Sequence, residues 1–398
     1  MQDIQMLFSP EGLQNPYPIY DRLRAQSPAL HIPEWNSLFV TGHPEVSALL
    51  RDPRVSVERM DIPASDLQKP EFEPARALYH MMLFRDPPNH TRLRGLVSQA
   101  FTPKVVSELR TLIEALVEEI LNQVAEKGEM EVLEDLASPL PVTVILRMLG
   151  LNPQDAEHFR QWSDSIAHLL DGGEQSAVLM PRIMQDVHDM NRYFRQVADD
   201  LRENPQPGLM TALATAELEG DKLSHEELLS NAILLLVAGH ETTTNLIASG
   251  LHALLTHPEQ LADLRAHPEL LDGAIEELLR FVNPVQATSR VVKTDLEVAG
   301  MSVPAGTQLQ LMLAAANRDP RVFADPHTLN VRRETSRHLA FAAGHHYCLG
   351  ASLARLEARV VFEKLLQRFD TLELLPQSFV WRPNFTLRGL QTLRVTVG

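Results

Sequence analysis

The chain has 398 residues, roughly two to three times the length of an ordinary domain, and 44% of them are hydrophobic, which suffices for a large core. Its formal net charge of -16 argues against a general nucleic-acid-binding protein, and its single cysteine excludes an intramolecular disulfide framework and suits a reducing cytosol. Residues 1–10 lack the basic and apolar regions of a signal peptide, and no apolar run is long enough to span a membrane. These features predict a cytoplasmic protein that has no membrane anchor and binds no nucleic acid.

The periodicity of the chain predicts a mainly α-helical fold with small β-sheets. Near the N-terminus, the pattern predicts helices at 16–26 and 43–51 with a strand at 37–41 between them. Prolines interrupt the pattern over 56–84, which predicts a long irregular loop of the kind that is often functional.

A pair of basic side chains follows the dipeptide Pro87-Pro88, where a helical pattern begins. His90 and Arg94 are four residues apart and therefore share one helix face. Such a face suits an anion, and arginine grips a carboxylate with two parallel hydrogen bonds. A solvated basic face is the alternative that the pattern leaves open.

The segment 163–190 contains several methionines, which adapt to irregular apolar surfaces. Packing in the core is at least as good an explanation for any one of them.

A long helix is predicted from 225 to about 257, because Ser224 and Glu227 form a capping box at its start. Its middle contains Gly239 followed by the threonines 242–244, and both features cost helix stability. Threonine hydroxyls also bond to the preceding turn and bend a helix. We therefore predict a kink or groove where a small ligand lies against the backbone, with a merely tolerated flaw as the alternative.

Two later segments complete the predicted scaffold. Glu277 and Arg280 are three residues apart on a helix predicted at 268–282, where they can pair. Strands are predicted at 290–298 and 379–397, with an irregular, proline-containing stretch at 317–333.

The only cysteine, Cys348, lies between Gly344 and Gly350, just before a helical pattern at 352–369. This arrangement predicts a tight loop that brings the thiol to a helix start, where unpaired backbone N–H groups lower a thiol pKa. It suits a thiolate ligand to the iron of a haem. A small buried cysteine and a nucleophile with a neighbouring histidine as base are the alternatives.

The loop resembles the haem-binding loop of the cytochrome P450 family in its soluble bacterial form. The residues that carry the resemblance are Phe341, Gly344, His346, Cys348 and Gly350. One position departs from the family pattern, because Ala342 stands where the family usually has glycine. The motif of Ala238, Gly239, Glu241 and Thr242 resembles the family's oxygen-activation motif, and the resemblance extends over nearly the whole chain.

The resemblance implies a cytochrome P450-type fold, a single haem-thiolate monooxygenase domain over 1–398 whose β-rich part covers about 1–60 and 284–315. Haem b would lie between the long kinked central helix and the helix of the cysteine loop. Its ligands and neighbours would be Cys348 as the axial metal ligand, Phe341 beside the sulfur, Gly344 and Gly350 in the loop, His346, His90, Arg94 and Arg290 on the propionates, and Ala238 and Gly239 at the oxygen pocket. Glu241 and Thr242 would manage protons. A structural triad of Glu277 and Arg280 with Arg333, or with Arg332 as the fallback, is also implied.

The implied reaction inserts one atom of O2 into a small organic substrate by hydroxylation or epoxidation. A polyketide, macrolide or other bulky natural product is the class suggested by the macrolide- and polyketide-tailoring members. Electrons would come from a separate ferredoxin or flavodoxin with its reductase, docking near the arginines 92, 337, 355 and 359. A peroxide-driven peroxygenase, a non-enzymatic haem sensor or carrier, and a thiol hydrolase remain as alternatives.

Overall fold

Helices make up most of the chain, as predicted. The computed structural model describes residues 2–60, 62–67, 69–98, 101–171, 174–206, 208–215, 217–218, 221–334 and 337–398. In chain order the α-helices are α1 (Gln2–Leu7), α2 (Pro10–Gln14), α3 (Tyr17–Gln26), α4 (His43–Leu49), α5 (Ala64–Leu67), α6 (Glu73–Tyr79), α7 (Asn89–Ser98), α8 (Pro103–Lys127), α9 (Pro139–Leu149), α10 (Ala156–Asp171), α11 (Glu174–Glu203), α12 (Leu209–Thr215), α13 (His225–Leu255), α14 (Pro258–Ala266), α15 (Leu271–Val282), α16 (Leu313–Ala316) and α17 (Ala351–Arg368).

The β-strands are short and form small sheets, which confirms the predicted fold class. They are β1 (Ala29–Ile32), β2 (Ser37–Val40), β3 (Val55–Ser56), β4 (Glu129–Glu131), β5 (Glu217–Leu218), β6 (Asp221–Lys222), β7 (Thr288–Val292), β8 (Leu296–Val298), β9 (Met301–Val303), β10 (Gln308–Leu311), β11 (Leu372–Leu374) and β12 (Arg394–Val397). A five-stranded sheet has the order β1-β2-β10-β7-β3, and a three-stranded sheet has the order β11-β12-β4. The remaining pairs are the hairpins β5-β6 and β8-β9.

The chain divides into two compact units. The first unit contains Met1–Ser56, Ile113–Ala137 and Thr242–Gly398, and the second contains Val57–Leu112 and Ser138–Glu241. Two of the four divisions fall inside α8 and α13, so each of these helices supplies residues to both units. The prediction of a single domain over 1–398 stays a prediction.

The core of the first unit lies on the two faces of the five-stranded sheet. Leu38 and Val40 belong to a buried cluster with Leu309 of β10, whereas Phe39, between them on β2, belongs to a second cluster with Ile4 of α1. This alternation follows from the two-residue period of a strand. Burying one such side chain contributes about 1.5–3 kcal/mol, so the sheet anchors the segments on both of its faces.

The second unit is held together by helix packing between α10 and α11. Phe159 and Trp162 on α10 make edge-to-face contact, with their ring centres 5.1 Å apart. The ring centre of Tyr193 on α11 also lies 5.1 Å from that of Phe159. Beside this aromatic cluster, the hydroxyl of Ser165 donates to Asp186 at 2.5 Å. The methionine-containing segment 163–190 is largely helical, and of its methionines Met190 is buried, Met180 is half-buried and Met184 is exposed.

Two sequence predictions of irregular or extended structure were wrong in part. The stretch 56–84 contains α5, α6 and 3-10 turns at Pro70–Phe72 and Met82–Phe84, because proline is compatible with the first turn of a helix. Within 379–397, β12 is the one named strand, and only isolated bridges precede it. Among the described helices, none combines the length and the apolar character that a membrane span needs.

Candidate active site

The cysteine loop leads directly into α17. The N–H of Cys348 donates to the carbonyl of Phe341 at 3.0 Å, which closes the loop, and the thiol-bearing residue is exposed. Gly350 is the N-cap of α17, and the N–H of Ala354 donates back to its carbonyl at 2.9 Å. Cys348 therefore lies close to the start of a helix, as predicted.

Backbone geometry in this loop demands residues that tolerate positive φ. Gly344 has φ +72°, and a Cβ there would lie 2.4 Å from the carbonyl oxygen of Leu50. Only glycine fits both constraints. Ala342 also has a positive φ of +56°, at the position where the family usually has glycine. The loop thus keeps the turn at the cost of a strained alanine.

Phe341 is buried and supported by a polar network that the sequence analysis missed. The guanidinium of Arg355 lies 4.5 Å from the centre of the Phe341 ring and donates to Glu276 at 2.6 and 2.8 Å. His338 contacts the same carboxylate at 2.9 Å. Burial raises the pKa of Glu276, but the bonds from Arg355 and His338 outweigh it and lower the pKa to about 2. Glu276 is ionised and anchors α17 to α15.

The structural triad forms with Arg333 rather than Arg332. Glu277 accepts from Arg280 at 2.7 and 2.8 Å and from Arg333 at 3.1 Å. Arg332 pairs instead with Asp263 at 2.6 Å near the surface. Arg280 also donates to main-chain carbonyls in the stretch 317–333, so the triad holds the irregular segment that leads to the cysteine loop.

Helix α13 contains two consecutive residues, Ala238 and Gly239, that are more exposed than the residues around them. Ala238 is exposed and Gly239 is half-buried, although their neighbours on either side are buried. A Cβ at Gly239 would lie 3.8 Å from Ile145, an ordinary contact, so packing within the second unit does not require glycine here. The α-helical assignment is continuous through this region, and the predicted kink stays a prediction.

The side chain of His240, next to Glu241 in the chain, is held in place by two serine hydroxyls. Its two ring nitrogens contact the hydroxyls of Ser138 and Ser163, each at 3.1 Å. The carboxylate of Glu241 is buried and lies 3.5 Å from Nδ1 of His240. The sequence analysis passed over His240, although it lies inside the motif.

On the first-unit part of α13, Thr242 is half-buried and its neighbour Thr243 faces α17. Thr243 shares a hydrogen bond with Glu357, a fully buried carboxyl group. Burial raises the pKa of Glu357 to about 8, so this group is protonated at neutral pH. Sequence reasoning missed Glu357, because nothing in the local pattern of α17 marks it as buried.

Outside the cysteine loop, the residues predicted to bind the propionates lie on two elements, α7 and β7. His90 is buried and Arg94 is half-buried on α7 of the second unit. The backbone N–H of His90 donates to the carbonyl of Asp86 at 2.9 Å. Arg290 is buried on β7 of the first unit, where it donates to the hydroxyl of Thr288 at 2.7 Å.

Three of the four arginines predicted for partner docking pair with carboxylates of this chain. Arg355 is paired with Glu276, and Arg359 contacts Asp272. Arg92 pairs with Glu227, the capping-box residue of α13. Arg337 is exposed. Pairing with these carboxylates reduces the positive charge that three of the arginines offer, and docking of a redox partner near them stays a prediction.

The structure divides the predicted site residues between the two units. The first unit holds Phe341, Gly344, His346, Cys348 and Gly350 in one loop, together with Thr242 and Arg290, and the second holds His90, Arg94, Ala238, Gly239 and Glu241.

Comparison with known proteins gives consistent matches over the chain. The family model described as Cytochrome P450 matches residues 53–393. The biotin biosynthesis cytochrome P450 of Bacillus subtilis (strain 168) is 40% identical over 393 residues, covering 98% of each chain. The cytochrome P450 monooxygenase PikC of Streptomyces venezuelae is 41% identical over 390 residues, covering 96% of this chain and 91% of PikC.

Solved structures give the same result. The crystal structure of P450BioI in complex with a hexadec-9Z-enoic acid ligated acyl carrier protein has a TM-score of 0.91 and 37% identity, covering 98% of this chain and 99% of that one. The ligand-free structure of CYP164A2 from Mycobacterium smegmatis has a TM-score of 0.90 and 38% identity, and both chains are covered completely (100%).

Proposed function

The chain belongs to the cytochrome P450 family, and from this premise we propose that Cys348 is the thiolate ligand of its haem b and that Glu241 and Thr242 manage its protons. The protein is a monooxygenase that uses O2 and supplied electrons to oxidise an organic substrate. The observation that carries the ligand assignment is the exposed position of the chain's only cysteine at the start of α17. When bound, haem b supplies the iron that reduces O2, and thiolate ligation favours cleavage of the O–O bond.

The residues of the cysteine loop fit a porphyrin. Gly344 and Gly350 lack the side chains that would hold the backbone away from a flat ring. Phe341, buried under the guanidinium of Arg355, offers an apolar surface beside the sulfur. We assign His346 of the same loop to a propionate.

The remaining propionate ligands are cationic or hydrogen-bonding groups on other elements. His90 and Arg94 share one face of α7, four residues apart, which suits a carboxylate. Arg290 is a buried cation on β7 that donates to the hydroxyl of Thr288 and the carbonyl of Ser289, and an anion nearby would further stabilise its buried charge. We assign the first two residues to one propionate and Arg290 to the other.

Proton management is assigned to α13. Glu241 is buried beside His240, whose ring is fixed by two serine hydroxyls, so the carboxyl group has a defined orientation. Thr242 is the next residue and its hydroxyl can both accept and donate a proton. Ala238 and Gly239 leave room for a small ligand over the helix backbone. Glu241 supplies protons and Thr242 hands them to reduced oxygen.

The proposed substrate is an apolar natural product of the polyketide, macrolide or long-chain acyl class. Relatives include PikC and the polyketide biosynthesis cytochrome P450 PksS of Bacillus subtilis (strain 168), and the similar P450BioI structure holds an acyl carrier protein bearing hexadec-9Z-enoic acid. The electron donor is a ferredoxin or flavodoxin with its reductase. Because Arg355 and Arg359 are already paired, the exposed Arg337 is the better candidate for contact with an acidic partner.

A carbon monoxide difference spectrum of the reduced protein tests the ligand. We expect the absorption of a thiolate-ligated haem, and Cys348→Ser should abolish it. A colourless protein, or nitrogen ligation in the active state, would overturn the proposal. Long-chain fatty acids and macrolactones should then be screened for shifts of the iron spin state.

Turnover tests the proton assignment. With a ferredoxin system, Thr242→Ala should form several-fold less product per electron pair, with the remainder appearing as hydrogen peroxide. Unchanged coupling would count against Thr242. Turnover with hydrogen peroxide alone and none with the ferredoxin system would establish a peroxygenase, and no turnover with any spin-shifting ligand would favour a sensor or carrier.

A further inference from the structure

A half-buried cation lies against the aromatic ring at the start of the cysteine loop. The guanidinium carbon of Arg355 is 4.5 Å from the centre of the Phe341 ring. The same guanidinium donates to the hydroxyl of Tyr347 at 3.4 Å. Arg355 therefore contacts two residues that are joined directly to Cys348, because Phe341 accepts the hydrogen bond from its N–H and Tyr347 precedes it in the chain.

The carboxylate that pairs with Arg355 belongs to α15 and not to the loop. Glu276 accepts from Arg355 at 2.6 and 2.8 Å and from His338 at 2.9 Å. Within the part of the chain that the structure describes, this carboxylate forms no hydrogen bond or ion pair with residues 341–350. Although burial raises the pKa of Glu276, its bonds lower it to about 2, so the group is ionised at neutral pH. The ion pair therefore presents its positive member to the loop.

A positive charge beside the cysteine loop favours a reduced haem. Reduction adds one electron to the iron and its thiolate ligand, and a nearby guanidinium lowers the energy of the added negative charge. Arg355 is half-buried, so water and salt screen it less than they screen a surface cation. Its hydrogen bond to Glu276 raises its pKa, so it is charged at any working pH. Groups that surround the ligand of an iron are among the means by which a protein sets the iron's potential.

We propose that the Arg355–Glu276 pair sets the reduction potential of the haem through the cysteine loop. Arg355 is a positioning residue that holds the Phe341 ring and stabilises the ferrous state by its charge. Glu276 holds Arg355 in place and offsets part of that charge. Reduction transfers one electron from the ferredoxin or flavodoxin to the iron, and it forms or breaks no bond in the pair. The proposal rests on the proposed ligation of the haem by Cys348.

Substitutions of the two members should shift the potential in opposite directions. Arg355→Gln removes the cation beside the loop, so the ratio of ferrous to ferric haem at a fixed applied potential should fall about tenfold, which is about 59 mV for one electron. Glu276→Gln keeps an acceptor for Arg355 but removes the offsetting charge, so the ratio should rise at least twofold. A pair with only a structural role would loosen the same loop in both variants and shift the potential in one direction.

Equilibrium redox titration of the purified, haem-loaded variants with dithionite and mediator dyes measures this ratio without turnover or a redox partner. Arg355→Lys, which keeps the charge, should recover most of the ratio that Arg355→Gln loses. The matched control is Arg359→Gln, because it removes the same charge from α17 and Arg359 also pairs with α15, through Asp272. Neither member of the control pair has a hydrogen bond or ring contact with the described residues 341–350. The control ratio should change less than twofold.

The outcomes separate this proposal from the one on which it rests. If Cys348→Ser leaves the carbon monoxide difference spectrum unchanged, the ligand assignment is wrong. If the variants keep the thiolate spectrum but Arg355→Gln and Glu276→Gln shift the ratio in one direction, or no more than Arg359→Gln does, only the role of the pair is wrong. If Arg355→Gln does not retain haem, the direction of the shift in Glu276→Gln decides the proposal by itself.

Discussion

Arg280 and Glu277 form a two-point ion pair in which both side chains are completely buried, with 0% exposure on each side. Glu277 also accepts hydrogen bonds from Arg333 and from the backbone N–H of Asn330. The same carboxylate therefore balances the charge of Arg280 and fixes the segment that precedes the cysteine loop.

Replacing Glu277 with glutamine should therefore strand a buried guanidinium. We expect Glu277→Gln to lower the free energy of unfolding by about 3–5 kcal/mol, measured by urea denaturation of the haem-loaded protein. Arg332→Gln is the control, because the Arg332–Asp263 pair is exposed and should be worth about 1 kcal/mol or less. Equal effects of the two substitutions would contradict the buried triad.

Gly344 combines a backbone requirement with a steric one. Gly344→Ala should destabilise the protein and release haem, because its Cβ would lie 2.4 Å from the carbonyl of Leu50 at φ +72°. Gly300→Ala isolates the backbone cost, since Gly300 has φ +78° and nothing within 4 Å of its added Cβ. We expect about 1 kcal/mol for the control and at least twice that for Gly344→Ala. Similar losses would mean that contact with the carbonyl of Leu50 adds no cost to the substitution at Gly344.

Ala342 carries strain that glycine should relieve. Because its φ is +56°, Ala342→Gly should raise the free energy of unfolding by up to about 1 kcal/mol, the cost of the left-handed conformation less the added chain entropy. The neighbouring Ala343 has φ -158° and is buried, so Ala343→Gly should have the opposite sign. Thermal unfolding of both variants decides the point, and a destabilised Ala342→Gly would refute the strain.

Glu357 should make stability depend on pH. Its pKa is about 8 in the folded protein and near 4.5 when unfolded, so between these values the folded state binds one more proton. The free energy of unfolding of the wild type minus that of Glu357→Gln should then fall as pH rises through this window, by up to about 1.4 kcal/mol per pH unit. The difference should level off above pH 8.

Urea midpoints at pH 5.5, 6.5 and 7.5 measure this difference. The control is Glu118→Gln, because the hydrogen bond from Lys364 lowers the pKa of Glu118 and leaves it ionised in both states across the window. The difference in unfolding free energy between the wild type and Glu118→Gln should not change with pH. A flat difference for Glu357→Gln as well would show that Glu357 is ionised in the folded protein.

The sequence alone determined whatever depends on spacing along one element. The capping box of α13 forms as predicted, with Glu227 accepting from the N–H of Ser224 and the Ser224 hydroxyl accepting from the N–H of Glu227. The position of Cys348 just before α17 follows in the same way from the glycine and helix pattern. Local geometry decides such features, because the bonds involved join residues a few positions apart.

The tertiary structure decided burial and long-range pairing. It selected Arg333 over Arg332 for Glu277, engaged Arg355 with Glu276, and buried Glu357 against Thr243. These choices depend on which segments meet although more than 50 residues separate them along the chain, 56 for Arg333 and Glu277 and 79 for Arg355 and Glu276. No local pattern encodes the loss of water around a charge. Desolvation turns an ordinary glutamate into a protonated one or a surface pair into a structural one, and it exists only once the chain has packed.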